Sequence, residues 1–196
     1  MSLDAKERES LIRRYADGPA LLRRAFAKVP AAALKWRPAP GEWSAHEVVC
    51  HCADSESNAY ARIRFVVAEP SPVIQGYDQE RWARTLDYHS HPVAPAMATV
   101  VAVRANTAAL IRRLPDDAWA RTATHTESGA YGAEAWLQIY AEHLEIHARQ
   151  IDANVAAWRA AHPKKTSRKT RGKASRASRG RASRRPRARS PRRRSA

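Results

Sequence analysis

The segment Tyr-Ala-Glu-His-Leu-Glu-Ile-His, residues 140–147, sets two imidazoles four residues apart. On a helix turning about 100° per residue such a pair stands on one face, one ring above the other, and both can reach a single ligand. Trp136, Ile139, Tyr140, Leu144, Ile146 and Ile151 share the face of His143 and His147, while Glu134, Gln138, Glu145, Arg149 and Asp152 lie opposite. The two rings therefore point into a core. Buried imidazoles need partners, because an unsatisfied polar group there costs about 1 to 3 kcal/mol. A shared divalent metal satisfies both, and hydrogen bonds to core side chains would do so too. The pattern is not that of the zincin metalloproteases, since Glu145 is two residues from each histidine and faces away.

A third histidine lies in a second helical segment. Around His51 the helical wheel gathers Ser44, Glu47, Asp54, Ser55, Asn58 and Arg62 into a polar arc, beside an apolar arc of Val48, Cys52, Ala59, Ile63 and Val66. Such an arc is either a solvated face or the lining of a polar pocket. In a pocket, Asp54 is placed to orient a liganding imidazole. Tyr140, one turn before His143, would offer a hydroxyl, and Asn58 and Arg62 polar contacts to substrate or cofactor. Tyr140 as a core aromatic and Arg62 as a surface cation are the competing readings. His46, His89, His91, His125 and His162 receive no role, and Trp36, Trp43, Trp82, Trp119 and Trp136 are read as packing.

Four long segments with helical period position these residues, and no strand-like alternation of useful length appears. The first spans about 5–29, with a break expected at Gly18 and Pro19. The second starts at Ser44, whose pairing with Glu47 makes a capping box, and runs to about 68 before Pro70. The third covers about 95–114 and is closed by Pro115; the fourth covers about 133–161 and is stopped by Pro163. The connection 70–92 is long for a compact domain and carries one short helical piece, 77–85. The fold class expected is all-α, a four-helix bundle with long crossover connections, departing from a simple up-down-up-down path.

The 196 residues allow one domain with a real core plus a tail. The formal charge of +16 resides wholly in residues 163–196, which hold 16 of the 35 Lys and Arg and none of the 19 Asp and Glu. That segment has no apolar side chain larger than Ala, so residues 1–162 are expected to fold as the bundle and 163–196 to form a disordered basic tail. The tail would bind nucleic acid non-specifically by neutralising phosphates, or be a neutral extension. Cys50 and Cys52 lie two apart on one helix and point about 200° away from each other, so they form no disulfide framework. The N-terminal residues lack the apolar stretch of a signal peptide, and no run of about 18 apolar residues occurs. A cytoplasmic setting is expected.

Taken in order, Trp43-Ser44, the run Val-Val-Cys-His-Cys-Ala-Asp-Ser-Glu-Ser-Asn-Ala-Tyr-Ala-Arg at 48–62, Gly-Tyr-Asp-Gln-Glu-Arg-Trp-Ala at 76–83, residues 125–129 and residues 140–151 resemble the DinB superfamily. Within it the resemblance is to the YfiT-like metal-dependent enzymes, over about residues 10–160. It implies a four-helix bundle with a three-histidine site for zinc or nickel, its ligands mapping to His51, His143 and His147. It also implies kinship with transferases that use low-molecular-weight thiols such as bacillithiol or mycothiol. The chain departs from the pattern at Glu56 and Arg104, where histidines are expected. Neither is an expected ligand, and both are expected to alter the substrate pocket.

Three neutral imidazoles leave an open position on a metal, as in catalytic sites. Water there would become a hydroxide nucleophile, and a cofactor thiol a thiolate. The sequence does not choose between hydrolysis and thiol transfer. A second class of function is a non-catalytic bundle stabilised by a structural metal and tethered to nucleic acid by its tail; it requires a fourth protein ligand. The expected partners are a small-molecule substrate, nucleic acid through 163–196 and a second copy of the chain in a homodimer, with no membrane.

Overall fold

A computed structural model describes residues 3–163. The basic segment expected to be disordered lies outside the described residues. Four long helices are present: α1 (Ala5–Phe26), α2 (Ala45–Ala68), α4 (Val93–Ile111) and α6 (Ala133–Ala161). Two shorter ones, α3 (Gln79–Thr85) and α5 (Asp116–Trp119), fall in the connections.

Capping boxes open both α1 and α2: Asp4 with Glu7, and Ser44 with Glu47, each side chain taking the other's backbone N–H. They satisfy donors that a helix start leaves unpaired. Side-chain pairs fix the directions. Arg8, Arg14 and Lys28 of α1 meet Glu134, Glu145 and Asp152 of α6 in ascending order, so these helices run parallel. Glu56 and Arg64 of α2 meet Arg104 and Asn106 of α4, again ascending. Between α2 and α6 the order reverses: His51 lies against His147, and Ala59 takes the Trp136 indole N–H. The chain therefore runs up, down, down, up, and the α2-to-α4 connection crosses over the bundle.

Two expectations are corrected. The first helix does not break at Gly18 and Pro19 but continues through both, and both are buried. The physical reason is that Arg104 Nη1 donates at 2.7 Å to the Tyr15 carbonyl, the acceptor that a proline four residues on leaves free. Gly18 makes the room: a Cβ there would come within 3.1 Å of Leu144 Cβ and 3.4 Å of Arg104 Nη1.

The second correction concerns strands. The connections contain β1 (Val73–Ile74), β2 (Thr122–His125) and β3 (Gly129–Gly132), in the order β1-β2-β3. β1 pairs in parallel with β2, Ile74 opposite His125, and β2 forms an antiparallel hairpin with β3, Ala123 opposite Tyr131. Two to four residues are too few to display an alternation. Gly129, at φ +76°, closes the hairpin in the left-handed region that glycine adopts without strain.

The core forms two apolar clusters. One surrounds Tyr15, Ile63, Ile111 and Trp136; the other surrounds Leu22, Val48, Val100, Leu144 and Ile151. By length and composition α4 would suffice to cross a membrane, yet its Arg104 is 1% exposed and ion-paired to α2, which makes it a helix of the bundle.

Candidate metal centre

α2 and α6, antiparallel, bring His51 against His143 and His147. Ring centroids are 5.6 Å apart for His51 and His143, 4.8 Å for His51 and His147, and 4.6 Å for His143 and His147. One nitrogen from each ring lies within 4.8 Å of the others. Donors about 2.1 Å from a shared ion stand at most about 4.2 Å apart, so a small ring rotation closes the set.

Hydrogen bonds already select the free nitrogens. His143 Nδ1 donates to Glu56 Oε1 at 2.8 Å, and His147 Nδ1 to Gln150 Oε1 at 2.8 Å. Both acceptors lack a proton, so each ring keeps the lone pair on Nε2 for a ligand. His51 is 1% exposed, its Nδ1 has no hydrogen-bond partner, and the Trp43 ring packs on it at 4.7 Å. Burial first, then repulsion from His147 and His143, pushes the His51 pKa down to about 2. Burial and His143 push His147 down to about 4. Both rings are neutral at pH 7, as metal ligands must be. Among the described residues, no carboxylate or thiol joins the three histidines as a candidate ligand.

Behind His143 lies a buried ion pair. Arg104 Nε and Nη2 bond both oxygens of Glu56 at 2.5 and 2.6 Å, and Nη2 also donates to the Tyr140 carbonyl at 2.7 Å. Burial alone would raise the Glu56 pKa, but Arg104 and the hydrogen bond from His143 outweigh it and hold the carboxyl below its usual value. Glu56 is thus an ionised acceptor that orients a liganding imidazole. The expectation that Glu56 and Arg104 reshape a substrate pocket gives way to this: at 0% and 1% exposure they back the histidine rather than line an opening.

Asp54, expected to orient an imidazole, bonds none of the three histidines. Its Oδ2 accepts the Tyr88 hydroxyl at 2.5 Å; it lies three residues from His51, whereas Glu56 reaches across to α6. Asn58 donates to the Asp54 carbonyl within its own helix. Tyr140 stands beside the site, its ring 5.7 Å from that of His143, and its hydroxyl accepts from Arg62 Nη1 at 3.1 Å. Arg62 Nη2 donates to the Gln75 carbonyl. The sequence reading missed Gln150, Trp43 and the orienting role of Glu56. A signal for Glu56 existed. It falls on the apolar arc with Cys52, Ala59 and Ile63, as Arg104 falls among Val100, Ala108 and Ile111. Opposite charges on two core faces call for each other.

A four-helix bundle with three converging histidines is the class these features define. Residues 14–151 match the DinB superfamily, and the chain belongs to it. A relative from Oceanobacillus iheyensis, named for metal-dependent hydrolysis, is 34% identical over 111 residues, covering 57% of this chain and 64% of its own length. YfiT from Bacillus subtilis, named likewise, is 26% identical over 151 residues, 76% of this chain and 85% of that protein. The solved structure of YfiT superposes with a TM-score of 0.72 at 24% identity, covering 82% of this chain and 90% of that one. A mycothiol-dependent maleylpyruvate isomerase shares the fold at TM-score 0.60 and 16% identity, covering 76% of this chain and 61% of that one.

Proposed function

We propose that this protein is a divalent-metal-dependent enzyme that holds zinc or nickel through His51, His143 and His147 and activates a low-molecular-weight thiol or water against a small-molecule substrate. The observation that carries it is the pairing of His143 Nδ1 with buried, ionised Glu56, which leaves Nε2 free for a ligand in a ring set against the other two histidines. A divalent cation bound there supplies Lewis acidity and lowers the pKa of a thiol or water in its open position. The chain's own residues do the rest. Glu56 and Gln150 fix two tautomers, and Trp43 shields His51 from solvent. His143 keeps 14% of its side chain exposed, so the set is not sealed from solvent. Tyr140, accepting from Arg62, has its own hydroxyl proton to donate.

The names of the relatives favour hydrolysis, and the fold shared with a mycothiol-dependent enzyme favours a thiol. Cys50 and Cys52 are buried free thiols, which suits the reducing cytoplasm. The test is metal stoichiometry by elemental analysis and calorimetry. One equivalent per chain is expected, with affinity lost by orders of magnitude in each of His51→Ala, His143→Ala and His147→Ala and little change in His162→Ala. Addition of a thiol to cobalt-loaded protein should alter its visible spectrum if the thiol is the nucleophile. Wild type that takes up no zinc, nickel, cobalt, manganese or iron would sink the reading.

A further inference from the structure

Arg62 projects from α2 beside Tyr140 and, among the described residues, has no counter-ion. Its Nη1 and Nη2 donate to uncharged oxygens, the Tyr140 hydroxyl and the Gln75 carbonyl. Its Nε is buried with no hydrogen-bond partner. Two more buried polar atoms without partners surround it. The Tyr131 hydroxyl from β3 and the Tyr77 hydroxyl are both buried without a hydrogen-bond partner among the described residues, the Tyr77 ring lies 5.8 Å from Arg62 Cζ, and the Arg62 charge acts on both tyrosines. A cation from α2, a hydroxyl from β3 and a hydroxyl from the connection between β1 and α3 thus lie near one another with donors to spare. Tyr140 links that spot to the centre, its hydroxyl on Arg62 and its ring against His143.

We propose that Arg62, Tyr77 and Tyr131 form a carboxylate-binding subsite, so that the substrate is a small carboxylic acid held by its anionic end with its reacting carbon toward the histidines. The Nε–H and the remaining Nη2–H lie along one edge of the guanidinium and match the two oxygens of a carboxylate. The tyrosine hydroxyls supply further donors, and burial, which raises the pKa of both, keeps them protonated. Charge selects a carboxylate over a phosphate dianion. Arg62 is a single cation, and the Asp54 carboxylate acts on neighbouring Tyr77, so a second negative charge would be uncompensated. This identification of the substrate class rests on the metal-centre reading only for the direction in which the acid points.

The probes are butyrate and its uncharged isostere butyramide, titrated by NMR into metal-free full-length protein, where no metal competes for the carboxylate. Millimolar binding of butyrate and none of butyramide is expected. Arg62→Gln should weaken butyrate at least tenfold, and Tyr77→Phe and Tyr131→Phe each severalfold, with circular dichroism unchanged. Should Arg62→Gln fail to fold, the two conservative tyrosine variants decide. Equal butyrate affinity in wild type and the folded variants, or no binding to wild type, overturns the subsite. Zinc calorimetry on Arg62→Gln separates the two readings: it should match wild type, and a wild type that binds butyrate but no zinc refutes the metal centre while leaving the subsite.

Discussion

Arg104 Nη1 donates to the backbone carbonyl of Tyr15 at 2.7 Å, and through that bond a proline in one helix is tied to a histidine in another. Pro19 has no N–H for the Tyr15 carbonyl, Arg104 takes its place, and the same guanidinium holds Glu56, which holds His143. The chain of contacts crosses α1, α4, α2 and α6 in that order. One side chain thus satisfies the carbonyl that Pro19 leaves free in α1 and holds the carboxylate that orients a candidate ligand.

Removing one partner of a buried pair strands the other, at a cost of about 3 to 5 kcal/mol. Arg104→Met should therefore lower the melting temperature by roughly 10 °C or more, and Glu56→Gln should weaken metal affinity by about 10- to 100-fold even where the protein stays folded. Thermal denaturation and zinc calorimetry read the two effects. Arg104→Met with unchanged stability would show that the guanidinium does not anchor the bundle.

How much of this is legible in the sequence follows from the range of each interaction. Helices and caps are local, so the capping box at Ser44 and Glu47 and the inward face of His143 and His147 read directly from spacing. The continuity of α1 through Pro19 depends on Arg104, 85 positions away in the numbering, and no local rule for proline contains it. Asp54 is expected to orient an imidazole because it shares the polar arc with His51; the orienting bond comes instead from Glu56 to His143 and spans two helices, where register and not arc decides. The strands escaped because each is shorter than the period-two pattern needed to see it.

The cysteines are expected to be inert in the folded state. Burial, with Asp54 nearby, pushes the Cys50 thiol up to about 11, and burial pushes that of Cys52 well above its ordinary value. Thiolates are the reactive form, so at pH 8 alkylation by iodoacetamide should be slower by at least tenfold than in denaturant. Mass spectrometry of the intact protein counts the adducts. Rapid double alkylation of native protein would contradict the burial of α2 described above.

Any affinity for nucleic acid is expected to reside in residues 163–196, since residues 1–162 carry 19 charges of each sign. A chain ending at residue 163 should not bind duplex DNA. The full chain should bind without sequence preference and lose affinity steeply between about 50 and 200 mM salt. Fluorescence anisotropy at several salt concentrations measures both, and retained affinity in the shortened chain would locate the surface in the bundle instead.

The pH dependence of metal-free stability follows from the histidines. His51 and His147 are held below their ordinary value, to about 2 and about 4, whereas in the unfolded chain they titrate near 6.5. Between those limits the unfolded chain binds protons that the folded one refuses, so stability must fall as pH drops below about 6.5. Each histidine contributes up to about 1.4 kcal/mol per pH unit in that window, less where water reaches the half-buried His147. Glu47, held down to about 2 by Arg37 and Ser44 against the effect of its burial, loses its contribution only below about 4.5, so the interval from pH 7 to 5 isolates the imidazoles. Urea denaturation of metal-free protein should show a loss of roughly 1 to 3 kcal/mol over that interval, and His51→Phe, with no group to protonate, should flatten it by roughly a third to a half, since burial holds His46 below its ordinary value as well. A wild type equally stable at pH 7 and pH 5, or a His51→Phe slope as steep as the parent's, would mean that His51 is solvated and free to charge, and so not the buried neutral donor that a three-histidine centre requires.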